Sequence, residues 1–349
     1  MSHPSGITSN AFQTSARERL ADYLTRAGID AKRIDALTPD ASTREYFRIS
    51  WKRGTAVAAV YPEPFDSEFH PFLDVTRLFA ESCLPAPEIL DVDALHGIIV
   101  QEDLGDRQLG RALKALGEDE REAYIERAVT IIAEIQAAST RAYERDSIAS
   151  RLAFDEAKLS WELDFFFEHY FKSLLHEQLK HADEAQLRAE LYDLAADLAA
   201  RPRVLCHRDF HVANLMIDGK GDLRIVDYQD ARMGPASYDL VSLLLDRQPS
   251  PPSLAEVRER RLFFLEERRR LGLGALDPDD FAHEFRVMAV QRGLKAVGTF
   301  SYQTAICGRG EIYAQFIKPT LLIVLQAAQW LNRFPILRAT IRSHLEREL

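Results

Sequence analysis

The stretch that decides the fold runs from Cys206 to Asp230 and reads CHRDFHVANLMIDGKGDLRIVDYQD. Its polar residues have the spacing of a phosphoryl-transfer site: Asn214 follows Asp209 by five residues, and Asp227 ends an apolar run. Such a site needs one carboxylate to orient or deprotonate the attacking hydroxyl, and an amide and a second carboxylate to hold Mg²⁺. We therefore predict that Asp209 is catalytic and that Asn214 and Asp227 are magnesium ligands.

Apolar runs on both sides of a turn support this assignment. Residues 215–217 and 223–226 are strand-like, and the turn sequence at 218–221, Asp-Gly-Lys-Gly, separates them. A hairpin here would carry Asp227 back beside Asn214, where two oxygen ligands could meet one hard cation.

Two other interpretations use the same loop differently. His207, Asp209 and His211 alternate along the chain and could converge on Zn²⁺, as in a metal hydrolase. Taken singly, each histidine is better explained by satisfying buried backbone groups, so we assign His207 a structural role. The zinc interpretation leaves Asn214 and Asp227 without a function, which favours the phosphoryl-transfer interpretation.

The segment resembles the catalytic loop of the aminoglycoside phosphotransferase and choline kinase superfamily. Within that group it is most similar to the bacterial anomeric sugar kinases that act on N-acetylmuramate and N-acetylglucosamine. The similar blocks are DASTREYFR at 40–48, EDLGD at 102–106, HRDFHVANLM at 207–216, VDYQDA at 226–231, GPASYDLVSLL at 234–244 and QRGLKAVGTF at 291–300.

The resemblance implies a fold, a set of cofactors and a reaction. The fold would be α+β, two-lobed and protein-kinase-like, with a small β-rich N-lobe at 1–104 and a larger helical C-lobe at 105–349. ATP and Mg²⁺ would be the cofactors. By resemblance, the product would be a sugar 1-phosphate that feeds cell-wall recycling. An anomeric hydroxyl is more acidic than an ordinary alcohol, so it suits carboxylate-assisted attack.

By the same resemblance, the nucleotide would be held by two segments of the N-lobe. Small residues in the phosphate-covering loop let backbone N–H groups approach an anion. Strand 57–60 lacks the lysine that protein kinases place there. Either Mg²⁺ neutralises most of the phosphate charge, or an arginine replaces the lysine, with Arg44 as the candidate and Arg48 in reserve. The adenine would pair with backbone groups in the segment that follows strand 97–100, so Glu102 and Leu104 are assigned there by resemblance. The side chains of Glu102 and Asp103 are expected to be solvated loop charges. The predicted nucleotide-binding residues are Ser42, Thr43, Arg44, Gln101, Glu102 and Leu104.

The acceptor pocket is predicted from an aromatic segment and from the blocks that follow the catalytic loop. In the segment 161–170, Glu162 and Glu168 lie six residues apart, so one straight helix cannot present both on the same face. The family match favours Glu168 as a substrate ligand, and we assign the three phenylalanines to the core. The match also makes Asp230 a substrate ligand and Asp239 a brace of the catalytic loop.

A cationic pair completes the predicted substrate site. Arg292 and Lys295 lie three residues apart on one face of a predicted helix at 284–300. They could hold the lactyl carboxylate of N-acetylmuramate and would repel a polycationic antibiotic. An aminoglycoside-type, choline or homoserine kinase, and a catalytically dead kinase-fold binding protein, remain alternatives.

Bulk composition limits the class of protein. A net charge of −10 argues against a nucleic-acid partner, and 349 residues suffice for two lobes. No apolar run approaches the roughly 20 residues of a membrane span, and the first ten residues lack the pattern of a secretory signal. Three cysteines without metal spacing suggest reduced thiols, so we expect a cytoplasmic protein with a small-molecule substrate and no membrane partner.

Periodicity predicts the main elements outside the loop. Strands are expected at 46–51, 56–61, 97–100 and 204–206, and helices at 14–27, 72–79, 123–135, 186–199 and 254–271. The last of these helices carries runs of Arg and Glu and is predicted to be a solvated surface helix.

Overall fold

The computed structural model describes residues 15–30, 33–37, 44–52, 54–247 and 251–347. The chain forms two compact units, and one hairpin from the middle of the sequence groups with the N-terminal part. Unit 1 comprises Met1–Leu109 and Leu215–Gln229, and unit 2 comprises Gly110–Asn214 and Asp230–Leu349.

Strands dominate unit 1, where five of them form an antiparallel sheet in the order β1-β2-β3-β5-β4. Two further pairs, β7 with β8 and β6 with β9, are antiparallel as well. The strands are β1 Ile34–Leu37, β2 Glu45–Trp51, β3 Gly54–Val60, β4 Ile89–Asp93, β5 Ile98–Glu102, β6 Arg203–Cys206, β7 Leu215–Ile217, β8 Leu223–Ile225 and β9 Arg232–Pro235.

Helices make up most of unit 2, and the first two helices of the chain lie in unit 1. The helices are α1 Ala16–Arg26, α2 Pro71–Glu81, α3 Leu109–Ala112, α4 Glu118–Ala137, α5 Ser139–Glu144, α6 Ile148–Arg151, α7 Glu156–Phe166, α8 His181–Ala199, α9 Tyr238–Leu245, α10 Leu254–Arg270, α11 Pro278–Ala305, α12 Gly310–Tyr313, α13 Ile317–Leu331 and α14 Pro335–Arg347. A π-helical segment, Phe167–Leu174, continues α7. None of the described helices is both long and apolar enough to span a bilayer.

Alternation of buried and exposed residues shapes the core of unit 1. In β2, Phe47, Ile49 and Trp51 are buried, and the residues between them are more exposed. Helix α1 begins with a capping box at Ser15 and buries Leu20 among the same core residues as the sheet. The helix and the strands therefore share one hydrophobic core.

The hairpin of β7 and β8 is anchored to the rest of unit 1 by backbone and aromatic contacts. The Ile217 amide donates to the Arg107 carbonyl at 2.8 Å, and the Ile225 amide donates to the Pro85 carbonyl at 3.0 Å. Just beyond β8, the ring of Tyr228 stacks on Phe72 of α2 at a centroid distance of 5.4 Å. The predicted hairpin is present, and unit 1 carries Asp227.

Helix α11 is the central helix of unit 2. It runs for 28 residues and is buried along much of its length. Gly298 allows close approach of α7, since a Cβ there would lie 2.7 Å from the Cα of Phe166. Gly293 serves the same purpose toward Val324 of α13. The same helix carries Arg292 and Lys295, which donate hydrogen bonds to the catalytic loop.

The structure differs from the sequence-based prediction in two respects. The charge-laced helix α10 is not a purely solvated helix, because Arg260 and Arg268 are buried. Arg260 pairs with Glu122, and Arg268 donates to Gln136, both of α4. Strands β1 and β4 were not predicted; they are four and five residues long, and β4 has no fully buried residue.

Candidate active site

The catalytic loop follows β6, and its backbone is held by Asp239 near the start of α9. The Asp239 carboxylate accepts the backbone N–H of His207 at 2.7 Å and that of Arg208 at 3.0 Å. Burial raises the pKa of Asp239 to about 7, although these two hydrogen bonds act in the opposite direction. Arg208 has a φ of 86°, a conformation that is costly for a residue with a Cβ. Asp239 thus supports a strained backbone next to Asp209.

Asp209 is surrounded by positive charge. Its Oδ1 accepts a hydrogen bond from Lys295 Nζ at 2.8 Å, and its Oδ2 lies 3.6 Å from Arg208 Nε. The Arg292 Nη1 lies 3.9 Å from Oδ1. Burial alone would raise the pKa of Asp209, but these three cations outweigh burial and hold the pKa well below its usual range. The carboxylate is therefore ionised at neutral pH, and it is a weak base that is well placed to orient a hydroxyl.

Asn214 ends a short 3₁₀ turn and is oriented by the same loop. Its Nδ2 donates to the Asp209 carbonyl at 2.9 Å, and its backbone N–H donates to the His211 carbonyl at 2.8 Å. Because the amide nitrogen is directed at the backbone, the amide oxygen is the end suited to a hard cation. The residue therefore fits the predicted role of a magnesium ligand.

Arg292 is placed differently from the prediction. Its side chain is 1% exposed, and its guanidinium donates to the Arg208 carbonyl at 2.7 Å and to Ser242 Oγ at 2.8 Å. It also pairs with the buried carboxylate of Asp246. A guanidinium committed to these partners braces the loop from behind, which argues against the predicted contact with a substrate carboxylate. Of the predicted pair, Lys295 is the one that donates a hydrogen bond to Asp209.

A buried Glu162 lies beside this charge cluster, and the sequence analysis did not select it. Gln291 Nε2 donates to its carboxylate at 2.9 Å, and Lys158 Nζ lies 3.7 Å away. The Glu162 side chain is 1% exposed, whereas that of Glu168 is 52% exposed and pairs with Lys172 at the surface. This contrast argues against Glu168, and in favour of Glu162, as the acidic residue near the reaction.

The charges near Lys158 extend the positive field around the loop. Burial is the largest influence on the pKa of Lys158 and lowers it, while the charge of Glu162 partly opposes that shift. The pKa is lowered further by the charges of Arg208, Arg232 and Lys295. Glu162 could have been noticed in the sequence from its spacing to Lys158, because residues four apart lie on one helix face.

Asp230 and an aromatic surface complete the surroundings in unit 2. Asp230 forms an ion pair with Arg208, in which Oδ2 lies 2.8 Å from Nη1. The Asp230 side chain is half-exposed, which is compatible with the predicted substrate role. Trp161 is exposed, and Lys158 Nζ lies 4.0 Å from the centre of its ring. Phe165 packs between Trp161 and His169, while the neighbouring phenylalanines at 166 and 167 are buried as predicted.

In unit 1, the charge of Asp227 acts on Arg44. The Arg44 guanidinium donates to the Tyr61 hydroxyl at 3.2 Å and lies over the rings of Tyr46 and Tyr61. Burial would lower the pKa of Arg44, but the two tyrosines and Asp227 together raise it. Asp227 itself has a φ of 66°, and Gln229 donates to its carboxylate at 2.8 Å. Ser42 and Thr43 lie outside the described residues.

Arg48, the reserve candidate for phosphate binding, is used elsewhere. Its guanidinium binds Asp103 at 2.7 Å and Asp106 at 2.9 Å. Because the Asp103 side chain is only 8% exposed, the expectation that it is a solvated loop charge was wrong. This arrangement leaves Arg44 as the better candidate for the nucleotide phosphates.

The predicted adenine-binding segment also has internal partners. The Glu102 carboxylate pairs with Arg224 of β8 at 2.6 Å, so this side chain is not a free loop charge either. The Glu102 amide donates to the Glu88 carbonyl at 2.8 Å and would contribute to adenine binding only through its carbonyl. Leu104 is buried, and the buried Gln101 Oε1 lacks a hydrogen-bond partner among the described residues.

The zinc interpretation finds no ligand cluster in the structure. In the ranges that the structure describes, no group of three or more His, Cys, Asp or Glu side chains is arranged to hold a metal ion. Burial, with a further contribution from Arg247, lowers the pKa of His211 to about 4. That histidine is therefore neutral at pH 7.

A five-stranded antiparallel sheet, followed by a helical unit that presents Asp209 and Asn214 on one loop, defines a phosphotransferase of the kinase-like type. The chain belongs to the phosphotransferase enzyme family, whose model matches residues 33–272. This match confirms the predicted family and the α+β kinase-like fold.

Individual relatives carry more specific names. The chain is 32% identical over 269 residues to the N-acetylmuramate/N-acetylglucosamine kinase of Neisseria meningitidis serogroup B, across 75% of this chain and 76% of that protein. It is 31% identical over 274 residues to the protein of the same name from Pseudomonas aeruginosa, across 77% and 75% respectively. The structure resembles choline kinase LicA from Streptococcus pneumoniae with a TM-score of 0.56 and 12% identity, across 91% of this chain and 99% of that one. At that identity the likeness shows the fold alone.

Proposed function

We propose that this protein is an ATP-dependent kinase that phosphorylates the anomeric hydroxyl of N-acetylmuramate or N-acetylglucosamine. The names of the two relatives support this acceptor class. The observation that carries the proposal is the position of the Asp209 carboxylate, 2.8 Å from Lys295, 3.6 Å from Arg208 and 3.9 Å from Arg292. The product would be a sugar 1-phosphate for cell-wall recycling in the cytoplasm.

The chemistry assigned to Asp209 follows from its protonation state. An ionised carboxylate accepts a hydrogen bond from the attacking hydroxyl and aims an oxygen lone pair at the γ-phosphate. Strong basicity is not required, because phosphoryl transfer passes through a loose transition state in which positioning and charge stabilisation dominate. An anomeric hydroxyl, which is more acidic than an ordinary alcohol, suits a weak base.

Magnesium is expected as the second cofactor, on the basis of donor chemistry. Asn214 offers an amide oxygen and Asp227 a carboxylate, and both are hard ligands of the kind that Mg²⁺ prefers. When bound, the ion would neutralise charge on the nucleotide phosphates. Arg44 would add a positive charge from unit 1, in place of the lysine that strand β3 lacks.

The local charges favour a neutral or anionic acceptor over a polycation. Lys158, Arg208, Arg232 and Lys295 all contribute positive charge near the loop. An aminoglycoside would be repelled by this field, whereas the carboxylate of N-acetylmuramate would be attracted. The exposed face of Trp161 offers a surface on which a sugar ring could stack.

A coupled assay of ADP formation tests the proposal directly. N-acetylmuramate, N-acetylglucosamine, kanamycin, choline and homoserine would be compared at equal concentration, with Asp209→Asn as the background control. We expect ADP formation with the two sugars alone. Turnover confined to kanamycin, choline or homoserine would overturn the acceptor assignment. ATP binding without ADP formation from any acceptor would instead identify a catalytically dead binding protein.

A further inference from the structure

Unit 2 contains a pocket that the proposed reaction does not use. It has a volume of about 560 Å³ and lies among α10, α11 and α13. Most of its wall is apolar, with Leu262, Phe285, Ile323 and Trp330 as large contributors. None of Asp209, Glu162, Arg292 or Lys295 lines it. The volume falls within the range of roughly 300–1,000 Å³ that is typical of small-molecule sites.

Three arginines line this apolar pocket. They are Arg258 and Arg261 of α10 and Arg286 of α11. Burial lowers the pKa of Arg261, and the neighbouring charges of Arg286 and Arg258 lower it further, so Arg261 lies in the positive field of both. Clustering like charges against an apolar wall costs free energy unless an anion offsets it.

The described residues of the protein do not supply that anion. No carboxylate lies within 4.0 Å of any of the three guanidiniums in the part of the chain that the structure describes, although Asp279 also lines the pocket. The buried Nε of Arg261 lacks a hydrogen-bond partner among the described residues. By contrast, Arg260, on the same helix, pairs with Glu122.

Aromatic rings hold two of the arginines over the pocket. The Arg261 guanidinium lies 5.5 Å from the centre of the Phe285 ring, and that of Arg286 lies 5.0 Å from the centre of the Trp330 ring. Cation–π contacts of this kind position a guanidinium without using its hydrogen-bond donors. The donors therefore stay available for a ligand.

We propose that this pocket is a second binding site, and that its ligand is an amphipathic organic anion. The carboxylate or phosphate head would be bound by Arg261 and Arg286 with support from Arg258, and the apolar body would lie against Phe285 and Trp330. Guanidinium groups bind both kinds of head in a bidentate manner. The proposal does not depend on the identity of the phosphorylated acceptor.

Binding of 1-anilinonaphthalene-8-sulfonate, an aromatic body with an anionic head, provides the test on the full chain. We expect one saturable site, with displacement by decanoate or decyl phosphate and none by decanol or acetate at the same concentration. The comparison of decanoate with decyl phosphate identifies the preferred head. Displacement by decanol as strong as by decanoate would overturn the proposal, since it would leave the arginines without a role.

Matched arginine substitutions locate the site. Arg261→Gln and Arg286→Gln should each weaken dye binding by about tenfold or more, the usual loss for a charge-assisted hydrogen bond. Arg269→Gln, an exposed residue of α10 that pairs with Glu266 outside the pocket, should leave binding unchanged. Unchanged circular dichroism and ADP formation would show that the variants are folded. Equal binding by all three variants, or a dimer in sedimentation whose formation excludes the dye, would overturn the assignment.

Discussion

Replacing Lys295 with methionine separates the charge that tunes Asp209 from the position of its carboxylate. Lys295 Nζ donates to Asp209 Oδ1 at 2.8 Å, and both side chains are at most one quarter exposed. An opposite charge at this distance shifts a carboxyl pKa by about 1–3 units. Because Arg208 and Arg292 remain within 4 Å, we expect the pKa of Asp209 to rise only part of the way back toward its ordinary value.

The magnitude for catalysis follows from the lost hydrogen bond. A hydrogen bond to a charged group contributes about 1.5–3 kcal/mol, so kcat/KM should fall by about 10- to 100-fold at pH 7. The acid limb of kcat/KM against pH should move to higher pH, since Asp209 is active when ionised and the loss of Lys295 raises its pKa.

The assay is the pH profile of ADP formation with both sugars, and Lys172→Met is the matched control. Lys172 pairs with the exposed Glu168, so its loss should change neither rate nor profile. Equal losses for N-acetylmuramate and N-acetylglucosamine would indicate that Lys295 acts through Asp209, and a larger loss for N-acetylmuramate would add a contact with its carboxylate. An unmoved acid limb with wild-type kcat/KM would refute the reasoning.

Three other substitutions test further parts of the structure. Arg292→Met should destabilise the protein by about 3–5 kcal/mol in urea unfolding, because it leaves the buried Asp246 carboxylate unpaired; adding Asp246→Asn should recover part of that loss, and a single variant as stable as wild type would contradict the bracing role. His70→Phe should reduce the fall in the free energy of unfolding of the protein as the pH is lowered. Burial and the charge of Arg44 lower the pKa of His70 to about 4, so its contribution is present above pH 6.5 and is lost as the pH falls toward 4; unfolding curves between pH 4 and 7 with the wild-type slope would count against this. Glu162→Gln should lower kcat/KM at least tenfold and the exposed Glu168→Gln should not, because only Glu162 lies in the charge cluster; the opposite ranking in the ADP assay would restore the original choice.

The catalytic loop and its hairpin could be predicted because their information is local. The spacing of Asp209 and Asn214 and the turn at 218–221 sit within one short stretch, and the structure has the loop and strands where the pattern indicates. The local sequence could not show, however, that the hairpin groups with unit 1. This grouping depends on partners more than a hundred residues away, at Pro85 and Arg107.

Burial of charged residues was the main feature that the sequence could not reveal. Arg292 and Lys295 do face Asp209 together, as helical spacing requires, but spacing does not tell which guanidinium is enclosed. Glu162 and Glu168 were ranked by family likeness, and the π-helical segment after α7 changes the residue phase between them. In each case the outcome was set by packing against distant elements.

The central claim is that Asp209 orients the acceptor hydroxyl for attack on ATP. Single-turnover transfer of phosphate from ATP to N-acetylmuramate, measured for wild type and Asp209→Asn, tests it most directly. We expect the rate to fall by about 10²- to 10⁴-fold while calorimetry shows ATP binding retained, since the substitution keeps the shape of the side chain and removes its charge. Transfer within a few-fold of the wild-type rate would contradict the account.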